Sequence, residues 1–148
     1  MNRLLFDHDR DVYEWVGKKL DCEFTNVLAA VGILDKDGNL IGGSVLHDRT
    51  RYDVELSHYG VMTFTPDLVK AIAYIVFVHA GMTRLSLRIA RKKKRMRKSV
   101  MKYGFSYEGI RRRFYGKNQG DDGIQYGMLK EEATRFLRRF DEQGTKAA

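Results

Sequence analysis

One cysteine, Cys22, and one proline, Pro66, stand in this chain of 148 residues. A lone cysteine excludes an intramolecular disulfide and a cysteine-rich zinc cluster, and it fits a reducing compartment. Long apolar runs are missing too. The longest, Ala71 to Ala80, falls well short of the roughly 20 residues that cross a bilayer. The first residues, MNRLLFDHDRD, lack the apolar segment of a secretion signal, so a soluble, cytoplasmic protein is the expectation. No internal repeat and no low-complexity tract interrupts the chain.

What is abundant is charge, mostly of one sign. Lysine and arginine number 27 against 19 aspartates and glutamates, a net charge of +8. With 43% hydrophobic and 31% charged residues the composition is that of a packed globular protein, and the length suits one domain over residues 1–143 with a frayed tail over 144–148. A basic surface attracts polyanions, but charge alone does not separate a phosphate-rich cofactor from nucleic acid.

Periodicity orders the elements. Asn2–Phe6 reads as a short strand, after which Asp7–Arg10 offer caps to a helix whose face is Val12, Trp15, Val16 and Leu20. Val27–Leu34 and Leu40–His47 are apolar stretches joined by a turn containing Asp37-Gly38, a hairpin signal. Tyr52–Tyr59 alternates Val54, Leu56 and His58 against Asp53, Glu55 and Ser57, the pattern of a third meander strand. Thr65-Pro66 opens a buried helix over 66–80 that Gly81 closes. A strand over 85–89, a basic helix over 92–103 ending at Gly104, strands over 105–115 and 124–129, and an amphipathic helix over 131–140 complete the chain. Helices should cover both faces of a mixed sheet.

The single residues carry less. His8, His47 and His79 lie on separate elements with no acidic cluster beside them in sequence, which argues against a metal site. Cys22 reads as a small buried residue. Tyr52, Tyr59, Phe64, Tyr74 and Phe77 read as core, with a substrate slot as the alternative.

The order strand, helix, three-strand meander, helix, strand, helix, hairpin is similar to the GNAT N-acetyltransferase fold. The likeness tightens where a basic helix, Lys93 to Lys102, runs into Tyr103-Gly104-Phe105 and then Glu108-Gly109 on a basic strand. The stretch Asp121 to Glu132 resembles the closing strand of the branch that includes ribosomal-protein and small phage-encoded acetyltransferases. The resemblance implies an α/β protein with a mostly antiparallel central sheet flanked by helices. It also implies direct acetyl transfer from acetyl-CoA to a primary amine of a protein or small molecule, with a backbone amide at the splayed end of the third meander strand polarising the thioester.

On that resemblance Glu55 or His58 would take the proton of the amine, and since the two project to opposite faces, only one of them serves. The cofactor would lie against Tyr59, Gly60, Val61 and Thr65 on one side and Arg91, Lys93 and Arg97 on the other. This chain departs from the family in the Gly60–Pro66 loop, which has one glycine and a proline without an N–H. Lys93 stands where an asparagine is usual, and Val100 where a tyrosine protonates the departing thiolate. Tyr103 or Tyr107 could stand in for that acid. Two alternatives therefore stay open. One is a fold that has lost its cofactor and serves assembly, with a virion protein as partner. The other is a nucleic-acid binder using Arg91–Lys98 and Arg111–Arg113, with Tyr103 and Phe114 for stacking. A homodimer is open as well.

Overall fold

The computed structural model describes residues 2–135 and 137–138. In chain order they form β1 (Arg3–Leu5), α1 (Asp9–Leu20), β2 (Ala29–Leu34), β3 (Leu40–His47), β4 (Asp53–Tyr59), α2 (Pro66–Ala73), β5 (Arg84–Ala90), α3 (Lys94–Lys102), β6 (Ser106–Arg111) and β7 (Gly123–Leu129). Residue 130 begins a further helix, α4, described over 130–135 and 137–138. The rest of the expected 131–140 helix, and the tail 144–148, lie outside the described residues.

The seven strands make one sheet in the order β1-β2-β3-β4-β5-β7-β6. Every neighbouring pair is antiparallel except β4 and β5, which run parallel. The β2–β3 hairpin closes as its turn residues demand: Asp35 Oδ1 accepts the Asp37 and Asn39 N–H groups, each at 2.9 Å, and Gly38 takes φ +82°.

Strand alternation gives the sheet two faces. One carries Val31, Leu46, Val54, Leu56, Leu85, Leu87 and Tyr126, and it forms the main core with Leu68, Ile72 and Val76 from the α2 region, Val100 of α3 and Ala133 of α4. The other carries Ala30 and Val45, against which Val12 and Val16 of α1 pack. Gly43 of β3 lets α1 approach, since a β-carbon there would lie 2.7 Å from Val16. Three helical segments thus cover one face, while α1 packs over β2, β3 and β4 on the other.

Three expectations need correction. Asp7–Arg10 contain the N-cap of α1 but provide no capping bond: His8 holds that position without a side-chain hydrogen bond, although Asp9 and Asp11 in the first turn face the positive end of the helix dipole. The helix expected over 66–80 is α-helical only to Ala73, and Tyr74–His79 continue it as a π-helix in which the Ala80 N–H reaches back to Ile75 O. Val76 and Phe77 are the buried residues of that segment. The strand expected over 105–115 stops at Arg111, because Arg113 turns into the left-handed region (φ +57°) and sends Phe114 over Arg88, the guanidinium carbon 4.4 Å from the ring centre. No helix among the described residues is long and apolar enough to cross a membrane.

Candidate functional site

The parallel pair is where the sheet opens. β4 and β5 are in register from Asp53↔Arg84 to Leu56↔Leu87 and no further. β4 runs on to Tyr59 against β3, and β5 to Ala90 against β7, so beyond Leu56 and Leu87 each follows its outer neighbour. A cavity of about 560 Å³ sits at this divergence. It is lined by Leu56, His58, Leu87 and Ile89 from one face of the sheet and by His47, Glu55, Ser57 and Arg88 from the other. Side chains from both faces can line one cavity only where the strands part. Lys92, Lys93 and Met96 lie along one wall, Phe114 and Tyr115 along another.

His58 is on the main-core face and is enclosed by partners. Its Nδ1 lies 2.7 Å from Ser44 Oγ and its Nε2 2.8 Å from Thr63 Oγ1. Thr63 gives its own proton to Gly60 O at 2.9 Å, so Nε2 carries hydrogen and Nδ1 accepts from Ser44. Burial pushes the imidazole down to about 4, against the bond to Gly60, which acts the other way. With both nitrogens engaged, His58 ties the loop after β4 to the sheet, and Phe64 packs edge-on at 5.1 Å.

Glu55 lies on the other face, in the cavity, with Arg88 Nη1 3.6 Å from its carboxylate. Opposite it in the β3–β4 register stands His47, with Nδ1 3.1 Å from Asp48 Oδ2 and Nε2 2.8 Å from Ser57 Oγ. His47, Asp48 and Glu55 hold their ligand atoms within 4.8 Å of one another, the one such group among the described residues. In sequence His47 looks isolated, and this cluster forms only in the fold. The signal was available, since 47 and 55 are equidistant from the turn at Arg51 and so face each other in a hairpin. Ser57, Arg88 and Tyr115 went unnoticed for want of any local motif. Burial raises the Tyr115 phenol, which donates to Arg88 O at 3.3 Å.

The remaining expected residues divide. Tyr59 stacks edge-on with Trp15 at 5.7 Å, and Val61 is almost fully exposed. Gly60 adopts φ +131° with its α-carbon so close to Thr63 and to the Ile41–Gly42 backbone that a β-carbon would meet each within 2.8 Å. Thr65 is the N-cap of α2, its Oγ1 taking the Leu68 N–H at 3.3 Å. Arg91 reaches Asp122 at 3.5 Å, and Arg97 donates to Tyr126 Oη and to Arg91 O, each at 3.0 Å. Lys92 pairs with Asp121, and Arg113 with Asp122, each at 3.0 Å. Both carboxyls are held below their usual range, first by backbone N–H groups, of Asn118 and of Arg113 respectively, and then by these cations.

Lys93, Lys94 and Arg95 are exposed at the start of α3, whose N-cap makes no side-chain bond and whose first turn has no acid. Lys93 and Lys94 form no ion pair with any described residue, and Arg95 reaches only Met62 Sδ, at 3.6 Å. Tyr103 packs near Phe64, ring centres 6.0 Å apart, and Tyr107 lies on β6 at the edge of the sheet. Cys22 is exposed, not buried, and lies at the cavity wall.

Protein-family models and curated sequences give no match to this chain. Solved structures do. The spermidine N-acetyltransferase SpeG K23-Y30 chimera from Vibrio cholerae and hSSAT aligns with a TM-score of 0.68 at 13% identity, over 90% of this chain and 98% of that one. Vibrio cholerae spermidine N-acetyltransferase in complex with CoA and spermine aligns at 0.63 and 16% identity, over 84% and 77%. A GCN5-related N-acetyltransferase from Brucella melitensis aligns at 0.66 and 19% identity, over 90% and 63%. The fold is that of the GNAT N-acyltransferases. The GNAT likeness expected from element order and the late motif is therefore present in the backbone, and the finer branch suggested by the Asp121–Glu132 stretch belongs to sequence alone.

Proposed function

We propose that this protein is an acetyl-CoA-dependent N-acetyltransferase acting on a primary amine. The observation that carries the reading is the cavity through the sheet, lined from both faces where β4 and β5 part. An extended thioester can lie in such an opening, its carbonyl against strand backbone and its two ends on opposite faces.

The residues present fit the cofactor in part. The loop after β4 offers little to a pyrophosphate, since Pro66 has no N–H and Thr65 Oγ1 already takes the Leu68 N–H. The start of α3 offers more: Lys93, Lys94 and Arg95 surround an uncapped helix terminus, and Arg95 touches Met62 in that loop. These three would hold the phosphates. Bound there, acetyl-CoA supplies an activated acetyl group. Arg91 and Arg97 would shape the wall from which it is approached, through Asp122 and Tyr126.

On the α1 side, Glu14, Asp21 and Glu23 line a groove that shares Cys22, Glu23 and Phe24 with the cavity, and Glu55 lies within the cavity itself. Those carboxylates would draw in an ammonium group and favour a cationic acceptor. Glu55 would receive that amine, while His58 would hold the loop in place. The test is calorimetric titration with acetyl-CoA followed by CoA release on adding spermidine or a lysine peptide. Micromolar binding and acceptor-dependent release are expected. No heat at millimolar acetyl-CoA would overturn the reading.

A further inference from the structure

We infer that Ser57 and His47 form a proton relay that takes the proton of the acceptor ammonium before direct acetyl transfer, with Asp48 as the positioning residue behind it. The inference deepens the acetyl-CoA reading and rests on it for the reaction that the relay serves.

The hydrogen bonds run outward from the cavity in the order a relay needs. Asp48 Oδ2 can only accept, so the proton between it and His47 sits on Nδ1, at 3.1 Å. His47 Nε2 is then left with a lone pair that takes the Ser57 hydroxyl proton, with Oγ 2.8 Å away. A hydroxyl whose proton is committed still has lone pairs, and Ser57 lines the cavity, so Oγ presents an acceptor to an entering amine. The imidazole itself is buried and the Phe24 ring lies over it, centres 4.7 Å apart. Asp48 is held in turn: Thr25 Oγ1 donates to its other oxygen at 2.9 Å, and its N–H reaches Thr25 O at 2.9 Å. Its backbone sits at φ +50°, a region a residue with a β-carbon occupies at some cost.

The relay stands beside the point of transfer. Ser57 is the first residue of β4 past the last parallel pair, Leu56↔Leu87, where the strand backbone is freed to polarise a thioester. Glu55, two residues earlier, projects to the same face, with Arg88 Nη1 3.6 Å from its carboxylate. Glu55 draws the ammonium in, and Ser57 takes its proton. His58 projects to the opposite face with both ring nitrogens engaged, so it is outside this path. The ligand atoms of His47, Asp48 and Glu55 are close enough to surround a cation, but the Arg88 guanidinium already supplies positive charge there.

In the first step a proton leaves the ammonium nitrogen for Ser57 Oγ as the Oγ proton moves to His47 Nε2. Asp48 stabilises the imidazolium through Nδ1–H. The free amine then bonds to the thioester carbonyl carbon, the C–S bond breaks, and the amine's second proton passes to the departing sulfur. Amide and CoA leave, and the imidazolium returns its proton through Ser57 to water refilling the cavity, which restores the starting tautomer. One proton is released per turnover, and nothing is oxidised or reduced.

Two measurements test the relay. In the free protein, nitrogen-15 NMR of the histidine side chains should show His47 with hydrogen on Nδ1 and none on Nε2; hydrogen on Nε2 would overturn the relay without any acetyl-CoA present. The second follows acetylation of spermidine from pH 6 to 9. Cys22 and Glu23 on one side and Lys92, Lys93 and Tyr115 on others line the same cavity, so a native plateau is assigned to His47 only by its loss in the variant. Ser57→Ala and His47→Gln should lower kcat about a hundredfold, leave KM for spermidine and acetyl-CoA affinity within about twofold, and replace the plateau by a rate rising about tenfold per pH unit. Ser57→Thr keeps the hydroxyl and should keep the plateau, and Asp48→Asn should slow the reaction about tenfold. If Ser57→Ala and His47→Gln keep the native plateau, whatever their rate, the relay is overturned and the acetyltransferase reading stands. If the native protein neither binds acetyl-CoA nor acetylates an amine, both fall together.

Discussion

Two connections leave the open end of the parallel pair, and they treat their polar groups in opposite ways. After β4, the His58–Thr63–Gly60 chain and the Thr65 cap turn the loop's polar side chains inward, leaving Val61 and Met62 exposed. After β5, Arg91, Lys92 and Arg97 are anchored inward, while Lys93, Lys94 and Arg95 face solvent around a helix start with no acid. A loop with no basic side chain, closed by a proline without an N–H, offers an anion little charge; an uncapped terminus among cations offers much. Anion affinity should therefore have moved from the first connection to the second.

The largest expected effect tests that displacement directly. Replacing Lys93, Lys94 and Arg95 together by glutamate should weaken acetyl-CoA about a thousandfold by calorimetry, the result of losing three charge-assisted hydrogen bonds of roughly 1.5 kcal/mol each. An unchanged dissociation constant would return the phosphates to the loop after β4.

The next effect separates His58 as a fastener from His58 as a base. Its imidazole titrates near 6.5 in the unfolded chain and about 4 in the fold. Between those values the unfolded chain binds the extra proton, so stability is full above pH 6.5 and declines as pH falls towards 4, by up to roughly 3 kcal/mol. Urea unfolding at pH 7 and pH 4.5 should show that slope in the native protein and lose most of it in His58→Gln. An equal slope in both would place the titration elsewhere.

A third effect concerns the backbone of the same loop. Gly60→Ala must place a β-carbon against the backbone of Ile41 and Gly42 at φ +131°, whereas Gly81, at φ +66°, has open space around it. Thermal and urea unfolding should give a loss of about 3 kcal/mol or more for Gly60→Ala and about 1 kcal/mol for Gly81→Ala.

The contrast between the two connections also marks where reading the sequence succeeds. β3 was legible to the residue, and β4 nearly so, because alternation and the Asp37-Gly38 turn are local signals. Three boundaries failed for non-local reasons. The π-helical continuation of α2 has no local signal in an apolar run that reads equally well as α-helix, and the early end of β6 goes with the packing of Phe114 over Arg88. At α1, Asp7 is left-handed and the N-cap His8 that follows it makes no side-chain bond. The site was legible in place and not in parts. Fold order directed attention to β4, yet only the register across the hairpin brings His47 to Glu55 and Ser57. The basic run from Arg91 to Lys98 is uniform as sequence, and only tertiary partners divide it into anchors and free cations.

The smallest effect is the most discriminating at the first connection, because Thr65 was expected to touch the cofactor and is found capping α2. Thr65→Ala should cost about 1 kcal/mol of stability by urea unfolding and leave acetyl-CoA affinity unchanged. Thr65→Asp sharpens this. A carboxylate caps at least as well as a hydroxyl and complements the helix dipole, so stability should be kept or raised. A phosphate held at that terminus would be repelled by the same carboxylate. Retained stability with retained affinity would make Thr65 a cap alone. Retained stability with an affinity loss of about tenfold or more would mean the phosphates reach the start of α2 and that the two connections share the anion.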